Sequence, residues 1–255
     1  MVPFRFRRIP GQKPLIYGHR GAKAHVVENT MPSFARALED GADGIELDVR
    51  TTRDGEVVVM HDVDLVRMTG GRDPRQVHEL STRELCAVEL EGPSGPARAP
   101  TLAELLDWAD ARGCLVNVEL KHDTHDKGAL ARGVARLLRS RTRVASRVMF
   151  SSFEPELLAR VALLLPEIPR AFLVHDGQKL AKTPVGPLFA RATGSTMLNP
   201  ERTMCSPRRV AGWKRAGFLI NVWTVNDPRE AVDLARLGVD GLITDDPAAI
   251  LAAFA

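Results

Sequence analysis

The 255-residue sequence predicts a closed parallel (β/α)8 barrel of the TIM type, with a β-hairpin after the second strand and a short insertion. Three observations predict it. Short apolar runs alternate with helix-like stretches, eight such runs can be counted, and nearly all are followed by a helix. The length suits one barrel, and 44% hydrophobic residues suffice for a substantial core. The chain is therefore read as one domain, residues 1–255, with its insertion at about 62–100. An open doubly wound sheet is the alternative, but the Gly-rich dinucleotide loop that serves such sheets is lacking.

In chain order, the strand candidates are Leu15–Gly18, Gly44–Arg50, Cys114–Leu120, Val148–Ser151, Ala171–Val174, Thr196–Leu198, Leu219–Thr224 and Gly241–Thr244. Helix-like stretches lie near 31–40, 101–112, 127–139, 154–164, 206–216, 228–237 and 246–254. Thr101 with Glu104 reads as a capping box, and Ser206-Pro207 and Asp227-Pro228 as helix starts. Gly41, Gly113, Gly217 and Gly238 stand where helices should end. Residues 62–100, rich in Gly, Pro and charge, replace one crossover with a loop excursion; residues 175–195 are loop-like with a weak helical centre.

Composition excludes several functions. No run approaches the roughly 18 apolar residues of a membrane span. The basic N-terminus has no apolar stretch behind it, so no signal peptide and a cytoplasmic location are expected. Cys86, Cys114 and Cys205 are odd in number and far apart, which reads as free thiols rather than a disulfide framework or zinc site. The net charge of +3 is compatible with an anionic ligand. The arginines from Arg132 to Arg147 fall at helical intervals with few aromatics between them, a solvated face rather than a nucleic-acid site. Nothing in the sequence sets an oligomeric state.

The chemistry concentrates in GIELDVRTTRDGEVVVMHD, residues 44–62. Asp54-Gly55 between β-rich runs predicts a two-residue hairpin turn. Counting outward sets Arg53 against Glu56, Thr52 against Val57, Arg50 against Val59 and Asp48 against His61. Opposed residues share a face, as do Glu46 and Asp48 two positions apart. The same i,i+2 spacing joins Glu119 and Lys121 in NVELKHD. In a parallel barrel the C-terminal strand ends form the functional rim, so Glu46, Asp48 and Glu119 would converge there. Carboxylates so close repel one another unless a cation lies among them, and hard oxygen ligands suit Mg²⁺ or Ca²⁺ rather than zinc. The bland alternative is that they pair with Lys121, Arg20 or Arg50. His19 and Arg20 end the first strand on the same rim, and the Arg20 guanidinium is a planar fork for phosphate oxygens.

This motif set resembles the glycerophosphodiester phosphodiesterases, within the wider phosphatidylinositol-phosphodiesterase-like barrels. The resemblance runs from about residue 15 to 247: HRG (19–21), ENTMPSFARAL (28–38), DGIELDVRTTRDGEVVVMHD (43–62), LVRMTG (65–70), PTLAELL (100–106), VNVELK (116–121), SSF (151–153), NVWTVND (221–227) and GVDGLITDDP (238–247). It implies that His19 and His61 are the acid–base pair and that Glu46, Asp48 and Glu119 bind one divalent cation. It further implies that Arg20 and Lys121 contact the phosphate, that Trp223 walls a glycerol pocket, and that Glu28 and Asn29 brace the loop or the ligand shell. The chain departs from the usual pattern at Val27 and at Lys23-Ala24-His25, both beside the substrate entrance.

The reaction implied is metal-dependent hydrolysis of a small glycerophosphodiester to an alcohol and sn-glycerol 3-phosphate. The glycerol 2-hydroxyl would attack phosphorus to give a cyclic phosphate that water opens; direct attack by water is the other route. The rival readings are cleavage of lysolipids on the same barrel, a non-catalytic barrel that binds phosphodiesters, and a nucleic-acid phosphodiesterase.

Overall fold

A computed structural model describes residues 4–178 and 186–255. The strands are β1 Leu15–His19, β2 Gly44–Thr51, β3 Val57–Val59, β4 Leu115–Leu120, β5 Val148–Ser152, β6 Arg170–Val174, β7 Met197–Pro200, β8 Leu219–Val222 and β9 Gly241–Thr244. The helices are α1 Met31–Glu39, α2 Thr82–Ala87, α3 Leu102–Arg112, α4 Lys127–Arg139, α5 Thr142–Ala145, α6 Pro155–Leu164, α7 Gly186–Ala192, α8 Pro207–Arg215, α9 Pro228–Arg236 and α10 Pro247–Ala252. The sheet runs β1-β9-β8-β7-β6-β5-β4-β2 and closes through a parallel β1–β2 pairing, with β3 added antiparallel on β2. This is the eight-stranded barrel that the alternation of runs predicts.

Its strands are buried on both faces, as a sheet wrapped by helices requires. On β2, Ile45, Leu47 and Val49 face outward into a core with Phe34 of α1, Leu105 of α3 and Leu130 of α4. The alternate residues of the strands point inward. At the N-terminal end of the barrel, Phe6 is fully buried against Tyr17, Leu115, Met197 and Leu219, and so plugs that end. Helix starts follow the local signals. Thr101 and Glu104 form the reciprocal capping box of α3, and Ser206 and Asp227 cap α8 and α9 ahead of a first-turn proline.

The hairpin register differs from the sequence expectation by one residue. Thr51 pairs with Val57, Arg50 with Val58 and Val49 with Val59. The connection is a three-residue loop, Arg53–Gly55: the Gly55 N–H donates to the Thr52 carbonyl at 3.0 Å and the Thr52 N–H to the Glu56 carbonyl at 3.0 Å. Gly55, at φ +79°, takes the left-handed position of such a loop. Asp48 therefore lies opposite Met60, whose N–H meets its carbonyl at 2.9 Å, and not opposite His61. His61 reaches the barrel mouth because the chain bends away after β3. Arg50 fixes that bend, donating to the His61 carbonyl from Nε at 2.9 Å and Nη2 at 2.7 Å.

The 62–100 excursion is more structured than its composition suggests. It holds α2, and Leu65, Met68, Leu80 and Leu85 pack with Val58 and Met60 in a satellite core. The 175–195 expectation falls partly on residues outside those described; its described end carries α7. The three cysteines are free thiols. Among the described residues, no helix is long and apolar enough to cross a membrane.

Candidate active site

The C-terminal mouth of the barrel holds a cavity of about 270 Å³, lined by His19, Arg20, Glu46, His61, Glu119 and Lys121 together with Asn117, Ser151, Phe153 and Trp223. Of the residues expected to act in catalysis, metal binding or substrate contact, the structure gathers all but Asp48 around a single space. Asp48 lies just behind the wall, joined to Arg20 and Lys121 by ion pairs.

Glu46, Asp48 and Glu119 each offer an oxygen, and the three lie within 4.8 Å of one another. Among the described residues they are the one cluster suited to hold a metal ion. β2 and β4 run in parallel register with Asp48 beside Glu119, which explains the convergence. Two cations answer part of this charge. Lys121 Nζ is 2.9 Å from Glu119 and 3.3 Å from Asp48, and Arg20 Nε is 3.2 Å from Asp48. The alternative pairing with Arg20 and Lys121 is therefore real, but incomplete. Burial opposes ionisation of Asp48, yet Lys121, Arg20 and an Asn29 hydrogen bond hold its carboxyl well below the usual range. Glu46 is pushed well above that range, by burial first and then by Asp48 and Glu119. Its side chain accepts the Arg20 backbone N–H at 3.0 Å. Glu119 is also raised, by burial and by Asp48, despite Lys121. Buried carboxylates with surplus negative charge fit a hard divalent cation.

Two residues with left-handed backbone grip this cluster. Arg20 (φ +54°) and Asn29 (φ +56°) are not glycines, and such conformations are uncommon outside built sites. Asn29 donates from Nδ2 to Asp48 at 2.9 Å and accepts the Asp48 N–H at 3.3 Å. Next to Arg20, Gly21 has no room for a side chain, since a Cβ would fall 2.5 Å from the Ser33 backbone. Glu28 accepts from Arg20 at 2.9 Å and from Arg67 at 2.6 Å, the bracing role expected of it.

Each histidine is held by a carboxylate at 2.6 Å through Nδ1: His19 by Asp245 and His61 by Asp62. With Nδ1 so engaged, Nε2 is the nitrogen left for chemistry. Burial pulls the His19 pKa below its usual value, more strongly than the Asp245 hydrogen bond raises it. Burial opposes ionisation of Asp245, but its hydrogen bond from His19 and the nearby charges of His19 and Lys23 hold it at about 2. Asn226 adds a hydrogen bond to Asp245 at 2.8 Å.

Asp245, Asn226, Asn117, Ser151 and Phe153 lie within the motifs that carry the resemblance, but none of them received a role from the sequence. Asp245 had a usable signal, since it directly follows the last strand and so stands on the rim. Trp223 forms one wall with its Nε1 donating to the Asn199 carbonyl at 2.7 Å, and Phe153 packs edge-on against it at 5.6 Å between ring centroids.

Residues 19–249 match the model of the glycerophosphoryl diester phosphodiesterase family. A glycerophosphodiester phosphodiesterase of Caldanaerobacter subterraneus subsp. tengcongensis is 31% identical over 244 residues, 94% of this chain and 97% of that one. The solved structure of the glycerophosphodiester phosphodiesterase from Agrobacterium tumefaciens is 28% identical, with a TM-score of 0.78 over 94% of this chain and 99% of that one. An Oleispira antarctica phosphodiesterase, solved with its product sn-glycerol-3-phosphate, shares the fold at 24% identity, with a TM-score of 0.82 over 94% of this chain and 96% of that one. On these grounds, and on the site just described, the chain belongs to the glycerophosphoryl diester phosphodiesterase family.

Proposed function

We propose that the chain hydrolyses small glycerophosphodiesters to an alcohol and sn-glycerol 3-phosphate by acid–base catalysis with His19 and His61. The observation that carries this reading is one cavity lined by two carboxylate-held histidines, two cations, and Glu46 and Glu119 of the acidic cluster. The product carried by the Oleispira antarctica relative supports the choice of substrate.

Glu46, Asp48 and Glu119 would hold one Mg²⁺ or Ca²⁺, which when bound neutralises phosphate charge as a Lewis acid. Arg20 and Lys121 line the same cavity, and their cationic groups would stabilise the phosphate oxygens as charge grows in the transition state. His19, kept neutral at pH 7 by burial and with its Nδ1 proton toward Asp245, suits removal of the proton from the glycerol 2-hydroxyl as that oxygen attacks phosphorus. His61, held through Nδ1 by Asp62, then protonates the departing alcohol. Water opens the resulting cyclic phosphate with the two histidines exchanging roles. Trp223 and Phe153 cover the carbon edge of the glycerol.

The test is release of sn-glycerol 3-phosphate from glycerophosphocholine. His19→Ala and His61→Ala should each lower kcat/KM by about 10²–10⁴-fold while the thermal melt persists. Normal turnover by either folded variant overturns the acid–base assignment, and full activity in excess EDTA overturns the metal role.

A further inference from the structure

Two polar side chains in the cavity wall have no part in the mechanism above. Asn117, on β4 beside Glu46, is 1% exposed, and neither its Oδ1 nor its Nδ2 has a hydrogen-bond partner among the described residues. Ser151, on β5 beside Glu119, is likewise 1% exposed with an unpartnered Oγ. Both line the cavity. Buried polar groups are ordinarily paired, so two unpaired ones facing one space point to something that binds there. Deeper in the barrel the same residue type is partly paired, Asn221 Nδ2 donating to Asn199 Oδ1 at 3.2 Å. The cavity is also two-sided. Its β4–β5 side carries this amide and hydroxyl near the carboxylates, while Phe153, Leu173, Trp223 and Ile243 supply an apolar side.

We propose that Asn117 and Ser151 form a subsite that reads the terminal hydroxyl of the substrate's glycerol, and so set the requirement for glycerol over shorter diols. The proposal rests on the phosphodiesterase reading and deepens it. A hydroxyl both donates and accepts, which matches an amide offering Oδ1 and Nδ2 beside a serine O–H. The 2-hydroxyl and the phosphate are already engaged in the reaction, which leaves the terminal hydroxyl as the polar group of the glycerol still without a partner. The apolar wall then meets the C–H edge of the same carbons. A site built to bond a substrate hydroxyl strongly rejects an analogue that lacks it, because its own buried groups are then left unpaired.

The experiment compares sn-glycero-3-phosphocholine with the choline phosphodiester of propane-1,2-diol esterified at its primary oxygen. That analogue keeps the attacking hydroxyl and lacks only the terminal one. The full chain, assayed with Mg²⁺ or Ca²⁺, should prefer the glycerol diester in kcat/KM on the order of 10²-fold or more. In Ser151→Ala and Asn117→Leu the preference should shrink toward unity, with the loss falling mainly on the glycerol diester. Ser151→Ala removes a single oxygen and carries the test alone if Asn117→Leu does not fold. Equal cleavage of both diesters by the unaltered chain overturns the subsite. So does a parallel loss on both diesters in the variants, which would mark the pair as structural or as a site for interior solvent. If the unaltered chain cleaves neither diester, the phosphodiesterase reading itself falls, a result distinct from equal cleavage of both.

Discussion

The two histidines are held by the same bond but by different parts of the molecule. His61 takes its carboxylate from the next residue, Asp62, which Arg67 of the insertion holds at 2.6 Å. His19, on the first strand, takes its carboxylate from Asp245, which is 226 positions away and follows the last strand. The first pair is local and 31% exposed at the histidine; the second exists only once the barrel has closed and is 14% exposed. The comparison teaches that one half of the proposed acid–base pair is built by a short peptide and the other by topology. Disturbing barrel closure should uncouple His19 before His61.

The largest effect should separate the two carboxylates. Asp245→Asn is expected to lower kcat on the order of 10²-fold, since partners that orient a functional imidazole typically matter at that scale. Asp62→Asn should lower it on the order of tenfold, because Arg50 still holds the His61 carbonyl. Steady-state kinetics on glycerophosphocholine check both, and equal losses would break the distinction between a local and a topological pair.

Arg50→Met comes next. It frees the His61 carbonyl and removes the 2.7 Å link to Asp123 on the β4–α4 loop, so kcat should fall about tenfold. An unchanged kcat in a folded Arg50→Met protein would show that the bend after β3 holds itself.

The pH dependence sharpens the comparison. Burial lowers the His19 pKa, as do the nearby Arg20 and Lys23 charges, while Asp245 raises it, so removing the carboxylate charge leaves only the influences that lower it. In Asp245→Asn the limb of the kcat/KM profile that belongs to His19 should therefore move to lower pH. Stability gives an independent reading. A carboxylate held at about 2 is stabilising above its ordinary pKa of roughly 3.9, and that stability fades as pH falls through 2. The difference in melting temperature between the unaltered chain and Asp245→Asn should be full near about pH 5 and shrink toward about pH 2.

The smallest effect is expected at the hairpin tip. A Cβ on Gly55 meets nothing within 4 Å, so Gly55→Ala introduces only the strain of a left-handed alanine. That costs about 1 kcal/mol, or about 2–4 °C in Tm, with kcat changed less than about twofold. A large loss of activity would mean that hairpin register reaches His61 despite the Arg50 anchor.

What the sequence disclosed follows the same division between local and topological. Caps such as Thr101–Glu104 and the alternation of strand and helix are local, so the barrel was legible from them. Glu46 with Asp48, and Glu119 with Lys121, were legible because strand period alone puts each pair on one face. The hairpin register was not, since Asp54-Gly55 suits both two- and three-residue loops; in the loop that forms, Thr52 and Thr82 bond to Asp54, and Thr82 is a partner from outside the hairpin. Asp245 could be placed on the rim, but its pairing with His19 was hidden because that partner lies across the closure seam. Asn117 and Ser151 were hidden because being unpaired is a property of the whole interior, and no spacing along the chain encodes it.

The plug at the far end of the barrel has a kinetic consequence. With Phe6 packed among Tyr17, Met149 and Met197 beneath the polar layer, the cavity is a cul-de-sac entered from one side. In the proposed reaction the alcohol would form nearest the mouth and depart first, and the glycerol phosphate behind it would have to retreat through the doorway the next diester needs. Product and substrate would then contend for one threshold, and added sn-glycerol 3-phosphate should raise the apparent KM while leaving kcat as it was.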